Sequence, residues 1–207
     1  MENGQPFDRL ETVFGPVADC THCGEARRRT VEEVVELGVE LAREGREGRK
    51  VGTLFVIGDV NSVLERSRAL ILDPLFGHPR ELLHAGDPRF RETVKELALL
   101  DGAFVVGNDG FFVAAGRFIE VDLADPENFL PGLGTRHAAA ASISRVTNAI
   151  AVVVSQSSVV RVFADGEVRA EVIPELFLMQ RDHLLTPSAD VRRHPDAGVT
   201  VAVAGDR

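Results

Sequence analysis

The chain has 207 residues, 44% of them hydrophobic, which is enough apolar mass for a substantial core and excludes intrinsic disorder. Against 32 Asp and Glu stand 23 Lys and Arg, a net charge of −9, so a general nucleic-acid binder, which needs a basic face, is excluded. No run approaches the roughly 18 apolar residues of a membrane helix, and the first nine residues hold no apolar core of a secretory signal, so a membrane-free, cytoplasmic protein is expected. Lys50 and Lys95 are the only lysines, which leaves phosphate binding to guanidinium groups, and Phe is the only aromatic residue apart from His.

Residues 1–29 carry Pro6, Gly15, Pro16, Gly24 and the basic run Arg27, Arg28, Arg29 without periodicity, and read as an irregular lead-in. Within it Cys20, His22 and Cys23 offer half a structural zinc site with no second pair, so two ordinary thiols in a reducing compartment are the better reading. Thr30 with Glu33 forms a capping box, and Val31, Val34, Val35, Gly38, Leu41 and Ala42 make an apolar stripe at helical spacing, with glutamates on a face expected to be solvated. Gly45 and Gly48 end this helix, and 51–57 is apolar and β-branched, a strand buried on both faces. Residues 62–87, with Pro74, Gly77, Pro79 and Gly86, form a long structured connection. A second helix over 89–100 buries Phe90, Val94, Leu97 and Ala98 and stops at Asp101 and Gly102.

Apolar runs at 103–106 and 111–114 flank Gly107, Asn108, Asp109 and Gly110, a hairpin turn, and 117–121 stays extended. After a loop at 131–134, Thr135 can cap a helix running through four alanines to about Val146. A second buried strand follows at 149–154, and Asp165 with Gly166 joins strands at 159–164 and 167–173. A last helix is expected at 175–185, and 199–204 is a tail or an edge strand. The sum is about seven strands and four or five helices in one α/β domain with a mixed sheet, residues 30–186, followed by a C-terminal tail at 187–207.

Three segments offer chemistry. Gly134, Thr135, Arg136 and His137 open a helix, so backbone N–H groups, the positive end of a helix dipole and a guanidinium meet at one point, as an anion site requires; an ordinary helix cap is the alternative. Asp101, Gly102 and Ala103 lie where a helix hands over to a strand, where a carboxylate can bind a metal or accept a hydroxyl proton, or where Asp-Gly simply makes a turn. Ser155, Gln156, Ser157 and Ser158 leave the end of a buried strand, a place for ligands or for solvated hydroxyls. His78, His84, His183 and His194 have no partners at ligand spacing.

Together with Gly52 to Gly58 and with Ala114, Ala115 and Gly116, these motifs in this order resemble the diadenylate cyclase domain over about residues 50–175. The resemblance implies a homodimeric nucleotidyltransferase that condenses two ATP into cyclic di-adenosine monophosphate, a second messenger, and two pyrophosphates, assisted by Mn²⁺ or Mg²⁺. It implies that Asp101 activates or orients the 3′-hydroxyl and helps hold the metal, that Gly134, Thr135 and Arg136 hold phosphates, and that His137 supports the same site. Gly102, Ala103 and Ser155 would line the ATP site, while Phe118 and Ile119 are candidates to stack on adenine or to pack in the core.

Two positions depart from the family pattern. Arg-His-Arg becomes Arg136, His137 and Ala138, a lost guanidinium that Arg145, two helical turns on, is badly placed to replace; Ser-Glu-Glu becomes Ser155, Gln156 and Ser157. The competing expectation is therefore a regulatory module of the same fold that binds ATP or a cyclic dinucleotide without turnover.

Overall fold

The computed structural model describes residues 25–121, 134–175, 189–194 and 199–204. Among these residues four α-helices, α1 (Glu25–Glu44), α2 (Val60–Glu65), α3 (Pro88–Leu97) and α4 (Thr135–Val146), accompany nine strands. These are β1 (Thr53–Ile57), β2 (Ser67–Ala69), β3 (Ala103–Val106), β4 (Phe112–Ile119), β5 (Ile150–Val154), β6 (Val160–Ala164), β7 (Glu167–Val172), β8 (Ala189–His194) and β9 (Val199–Ala204). The first seven form a sheet in the order β2-β4-β3-β1-β5-β6-β7, in which β1 and β3 are parallel and every other pair is antiparallel. This is the expected mixed α/β sheet. β8 and β9 pair with each other, which gives the expected terminal strand a partner at 189–194 that the sequence reading did not include.

Strand alternation divides the core into two layers. Phe55 and Ile57 of β1 point to one face, where they meet α1 through Val31, Val34, Val35 and Leu41 and α3 through Phe90 and Val94. Leu54 and Val56 point to the other, against Val63 of α2 and Ala140, Ala141 and Ile143 of α4. On the first face Phe55 stacks on Phe104 at 5.1 Å, and Phe90 meets Phe112 edge-on at 5.0 Å; such pairs contribute about 0.5–1.5 kcal/mol each beyond their buried area. On the second face the alanines of α4 allow that helix to lie close over β5 and β1.

Helix starts show where local rules hold and where packing overrides them. Asp87 caps α3 by accepting from Arg89 N at 2.7 Å and Phe90 N at 3.2 Å, with Pro88 in the first turn. In α1, by contrast, Thr30 is not a cap: the helix begins at Glu25, so the basic run is helical and not part of an irregular lead-in. Arg27 is buried there and donates to Asn148 O, and the Thr30 hydroxyl lies 2.9 Å from Asn108 O; these tertiary contacts carry the helix back past its local cap signal. Nor are the α1 glutamates merely solvated. Glu40 and Glu44 pair with Lys95 at 2.8 and 3.2 Å, and Glu36 and Glu40 pair with Arg91 at 3.7 and 2.7 Å, which fastens α1 to α3.

The hairpins follow their turn residues. Asp165 and Gly166 both have positive φ, 55° and 81°, the backbone that joins two right-twisted strands in a two-residue loop. A bulge in β7 then shifts the register by one residue between the Val162 and Phe163 pairings, placing Arg161 opposite Glu171. The helix expected at 175–185 lies, from 176 on, outside the described residues, as do Cys20, His22 and Cys23.

Candidate functional site

The site lies at the end of the sheet where β1 and β3 begin and β5 finishes. Register fixes this arrangement: Leu54 pairs with Ala103, and Thr53 with Val154, so Gly52, Gly102 and Ser155 emerge together at one edge. The N-terminus of α4 arrives over the same edge from the second layer.

Asp101 ends the α3 to β3 connection, with its side chain 83% exposed. Its Oδ1 lies 3.6 Å from Arg136 Nη2, an ion pair just beyond hydrogen-bond distance, so the two groups predicted to carry the chemistry do meet. Gly102 has φ of 106°, and a Cβ there would fall 2.6 Å from the carbonyl carbon of Gly116. Gly116 in turn has φ of 63° and is covered by Ile71. The two glycines pack backbone on backbone, which is how the Asp101 loop and β4 hold their relative positions. Ala103 is buried as the first residue of β3.

Gly134 is the N-cap of α4 in extended conformation, and Thr135 is the first helical residue, so the expected cap by Thr135 is corrected by one position. Gly134 itself has no side chain with which to cap the helix. His137 N donates to Gly134 O at 3.0 Å, while the N–H groups of Thr135 and Arg136 fall in the first turn, where a helix offers no internal acceptor. Among the described residues, its chain neighbours apart, no atom lies within 4 Å of where a Cβ on Gly134 would stand. A helix N-terminus with glycine at its N-cap, beside a guanidinium, suits an anion.

His137 is 6% exposed and lies under the turn rather than in the opening. Its Nε2 sits 3.2 Å from Arg161 Nη1, and its ring meets Phe163 edge-on at 6.1 Å. Burial pushes the imidazole pKa below its ordinary value, Arg161 and Arg136 push the same way, and Glu171 opposes them. Arg161 Nε donates to Glu171 Oε1 at 2.6 Å.

Ser155 is at the edge as expected, but its hydroxyl is engaged locally: Oγ is 2.8 Å from Ser157 Oγ and accepts from Ser157 N at 3.2 Å. Gln156 comes in closer, because its Cγ and Arg136 Nη1 both crowd the Cα side of Gly52, at 3.2 and 3.0 Å from an added Cβ. Of the two adenine candidates, Ile119 is core, whereas Phe118 is 42% exposed with the Arg68 guanidinium 4.6 Å from its ring centre. Register puts Phe118 one residue beyond Arg117, the partner of Ala103, and so at the same end of the sheet as Asp101. Arg145 lies against Gly166 in the β6 to β7 turn, away from Arg136.

Gly52 and Gln156 stood in the motifs without a role of their own, and the Arg161–Glu171 pair was not singled out. Gly52 had a signal, being a glycine directly before a buried strand. The Arg161–Glu171 pair had a misleading one, since counting back from the Asp165 turn without the bulge sets Ala170 opposite Arg161.

Among the described residues no helix is long and apolar enough to cross a membrane, and no group of three or more His, Cys, Asp or Glu gathers as a metal site. Asp101 is the carboxylate beside the helix N-terminus. A single carboxylate at this place among the described residues suits a divalent ion held largely by substrate phosphates and water.

A mixed sheet whose edge gathers a helix N-terminus, a guanidinium and an exposed carboxylate defines an α/β domain equipped for a phosphorylated ligand. The chain belongs to the family described as DisA bacterial checkpoint controller nucleotide-binding, whose model matches residues 40–168. Curated relatives include a diadenylate cyclase of Methanocaldococcus jannaschii, 48% identical over 72% of this chain, and one of Haloferax volcanii, 38% identical over 71%. The matched regions span 47% and 54% of those two proteins, about half their length. Matches among solved structures include a double mutant of DacA from Staphylococcus aureus, with a TM-score of 0.45, 21% identity, and coverage of 78% of this chain and 96% of that one. A hypothetical membrane spanning protein from Bacillus cereus gives 0.46 and 19%, covering 67% of this chain and 61% of that one.

Proposed function

We propose that this chain is a diadenylate cyclase, which joins two ATP molecules into cyclic di-adenosine monophosphate and releases two pyrophosphates. The observation that carries the reading is the approach of Asp101 to Arg136 at the start of α4, in a chain of this family. The functional unit is the sheet with its helices, residues 30–186 together with the first residues of α1.

In this reading the N–H groups of Thr135 and Arg136 and the Arg136 guanidinium hold the triphosphate, with Gly134 leaving room for it. Arg136 leaves its resting partner Asp101 to do so. Asp101 then receives or orients the proton of the 3′-hydroxyl, whose oxygen forms a bond to the α-phosphorus of the second nucleotide as the bond to pyrophosphate breaks. A divalent cation, Mn²⁺ or Mg²⁺, bound by Asp101 and the phosphates would neutralise charge there. Gly102 and Ala103 supply backbone close to the ribose, Phe118 offers an exposed ring for adenine, and Ser155 shapes the far rim. Ala138 and Gln156 remove charge that the family pattern places here, so the site relies more heavily on Arg136 and the helix terminus.

Each nucleotide supplies one hydroxyl and accepts one attack, so two copies of the chain must face each other, at least during turnover. Following the nucleotides released from ATP tests the chemistry. One pyrophosphate for each ATP consumed, with no ADP, is expected. Formation of ADP would make the chain a phosphotransferase or hydrolase, and intact ATP that nevertheless binds would make it a regulatory module.

A further inference from the structure

We propose that Arg161 is a positioning residue for this site: from β6 it holds the buried imidazole of His137 neutral, with its proton on Nδ1, and so fixes the first turn of α4. Arginine keeps its proton at all accessible pH and only donates. Its Nη1, 3.2 Å from His137 Nε2, therefore makes a hydrogen bond when that nitrogen presents a lone pair. An imidazolium would set N–H against N–H and one cation against another in a site that is almost closed to water.

The arrangement is held from three sides. Glu171 on β7 fixes the guanidinium through Nε at 2.6 Å, and Phe163 stands edge-on to the imidazole. Among the described residues, the charged groups facing His137 are Arg136 on its own helix, Arg161 on β6 and Glu171 on β7, so two cations oppose its protonation and one carboxylate favours it. The ring is coupled to the turn because His137 N donates to Gly134 O, closing the loop that presents Thr135 and Arg136. A shift of the ring would carry those groups with it.

What the turn holds rests on the proposed cyclase reading, but the protonation claim does not, and the experiment separates them. The C2 proton of His137 is followed by NMR against pH in the ligand-free full chain, with the signal assigned by its loss in His137→Gln. The titration midpoint should rise in Arg161→Met, stay near the native one in Arg161→Lys, and fall in Glu171→Gln. A merely structural role predicts no such opposed shifts.

Turnover provides the second readout. Arg161→Met should lower kcat/KM for ATP by about 10- to 100-fold, as loss of an orienting partner typically does. That deficit should widen between about pH 8 and about pH 6, where a released histidine gains its proton, and Arg161→Lys should recover part of it. An equal midpoint in native and Arg161→Met protein overturns the proposal, and so does a deficit that is the same at both pH values. If Arg161→Met does not fold, Glu171→Gln decides, since its carboxylate is half exposed: a midpoint that does not fall overturns the assignment. A chain showing the predicted shifts but no turnover would refute the cyclase reading and leave the role of Arg161 standing.

Discussion

Replacing Gly102 with alanine tests how the fold positions Asp101. At φ of 106° an L-residue is strained, which costs about 1–3 kcal/mol. The new Cβ would also lie 2.6 Å from the Gly116 carbonyl carbon, where an ordinary contact needs 3.4 Å, so β4 or the Asp101 loop must retreat by about 0.8 Å. Overpacking of that kind costs about 1–3 kcal/mol. The sum is about 2–6 kcal/mol, or roughly 4–24 °C in Tm for a domain of this size. Gly48→Ala is the control, because φ there is 72° but, its chain neighbours apart, no atom of the described residues lies within 4 Å of an added Cβ, so about 1–2 kcal/mol of backbone strain is expected. Urea unfolding of both variants and the native chain, compared at equal slope, gives the two values. ATP affinity should fall in Gly102→Ala and not in Gly48→Ala. Equal stability losses would refute the argument that contact with Gly116, and not conformational strain alone, makes this position a glycine.

Further outcomes follow from the charged groups. Arg136→Ala should weaken ATP binding by about 1.5–3 kcal/mol, roughly 10- to 100-fold, most visibly at low salt, and an unchanged titration curve would remove Arg136 from the phosphate site. Lys95 is buried, which disfavours its charge, but its bonds to Glu40, Glu92 and Glu44 outweigh that and hold its pKa above the usual lysine range. The stabilisation is thus complete below the ordinary lysine pKa and fades only as pH rises through the higher folded value. Lys95→Met should cost about 1–2 kcal/mol in chemical denaturation at neutral pH, with no recovery up to the ordinary lysine pKa; a variant as stable as the native chain at neutral pH would show the α1 to α3 seam to be inert. On the acid side, the bonds that lower the pKa of Glu92 should be lost, and stability with them, as pH falls below the ordinary carboxylate range.

Much of the fold was legible because local and tertiary preferences coincide. The runs at 51–57 and 149–154 are apolar on both faces and became adjacent central strands, β1 and β5. Asp165 and Gly166 named their turn. The extent of α1 was not legible, since Thr30 has the chemistry of a cap and lost to the contacts of Thr30 with Asn108 and of Arg27 with Asn148, pairs 78 and 121 residues apart in the chain. The fate of its glutamates was hidden likewise, because the stripe tells which face is buried and not that Lys95 and Arg91 of another helix await the opposite one.

At the candidate site, the motifs pointed to Asp101 and Arg136, whose approach needs only that two segments at strand ends share an edge. The support beneath them was invisible for a different reason. A one-residue bulge sets the pairing of Arg161 with Glu171, and such a shift leaves no mark in a hydrophobic pattern. His137 was expected to act in the site, but its side chain is buried, which the motif alone does not tell.

The most direct test of the account is mass identification of the product after incubating the purified chain with ATP and Mn²⁺ or Mg²⁺, alongside Asp101→Asn. The account predicts cyclic di-adenosine monophosphate from the native chain and its loss by about 10²- to 10³-fold or more in Asp101→Asn, with ATP affinity largely kept. Full product formation by Asp101→Asn, or no cyclic dinucleotide from the native chain with either metal, would contradict it.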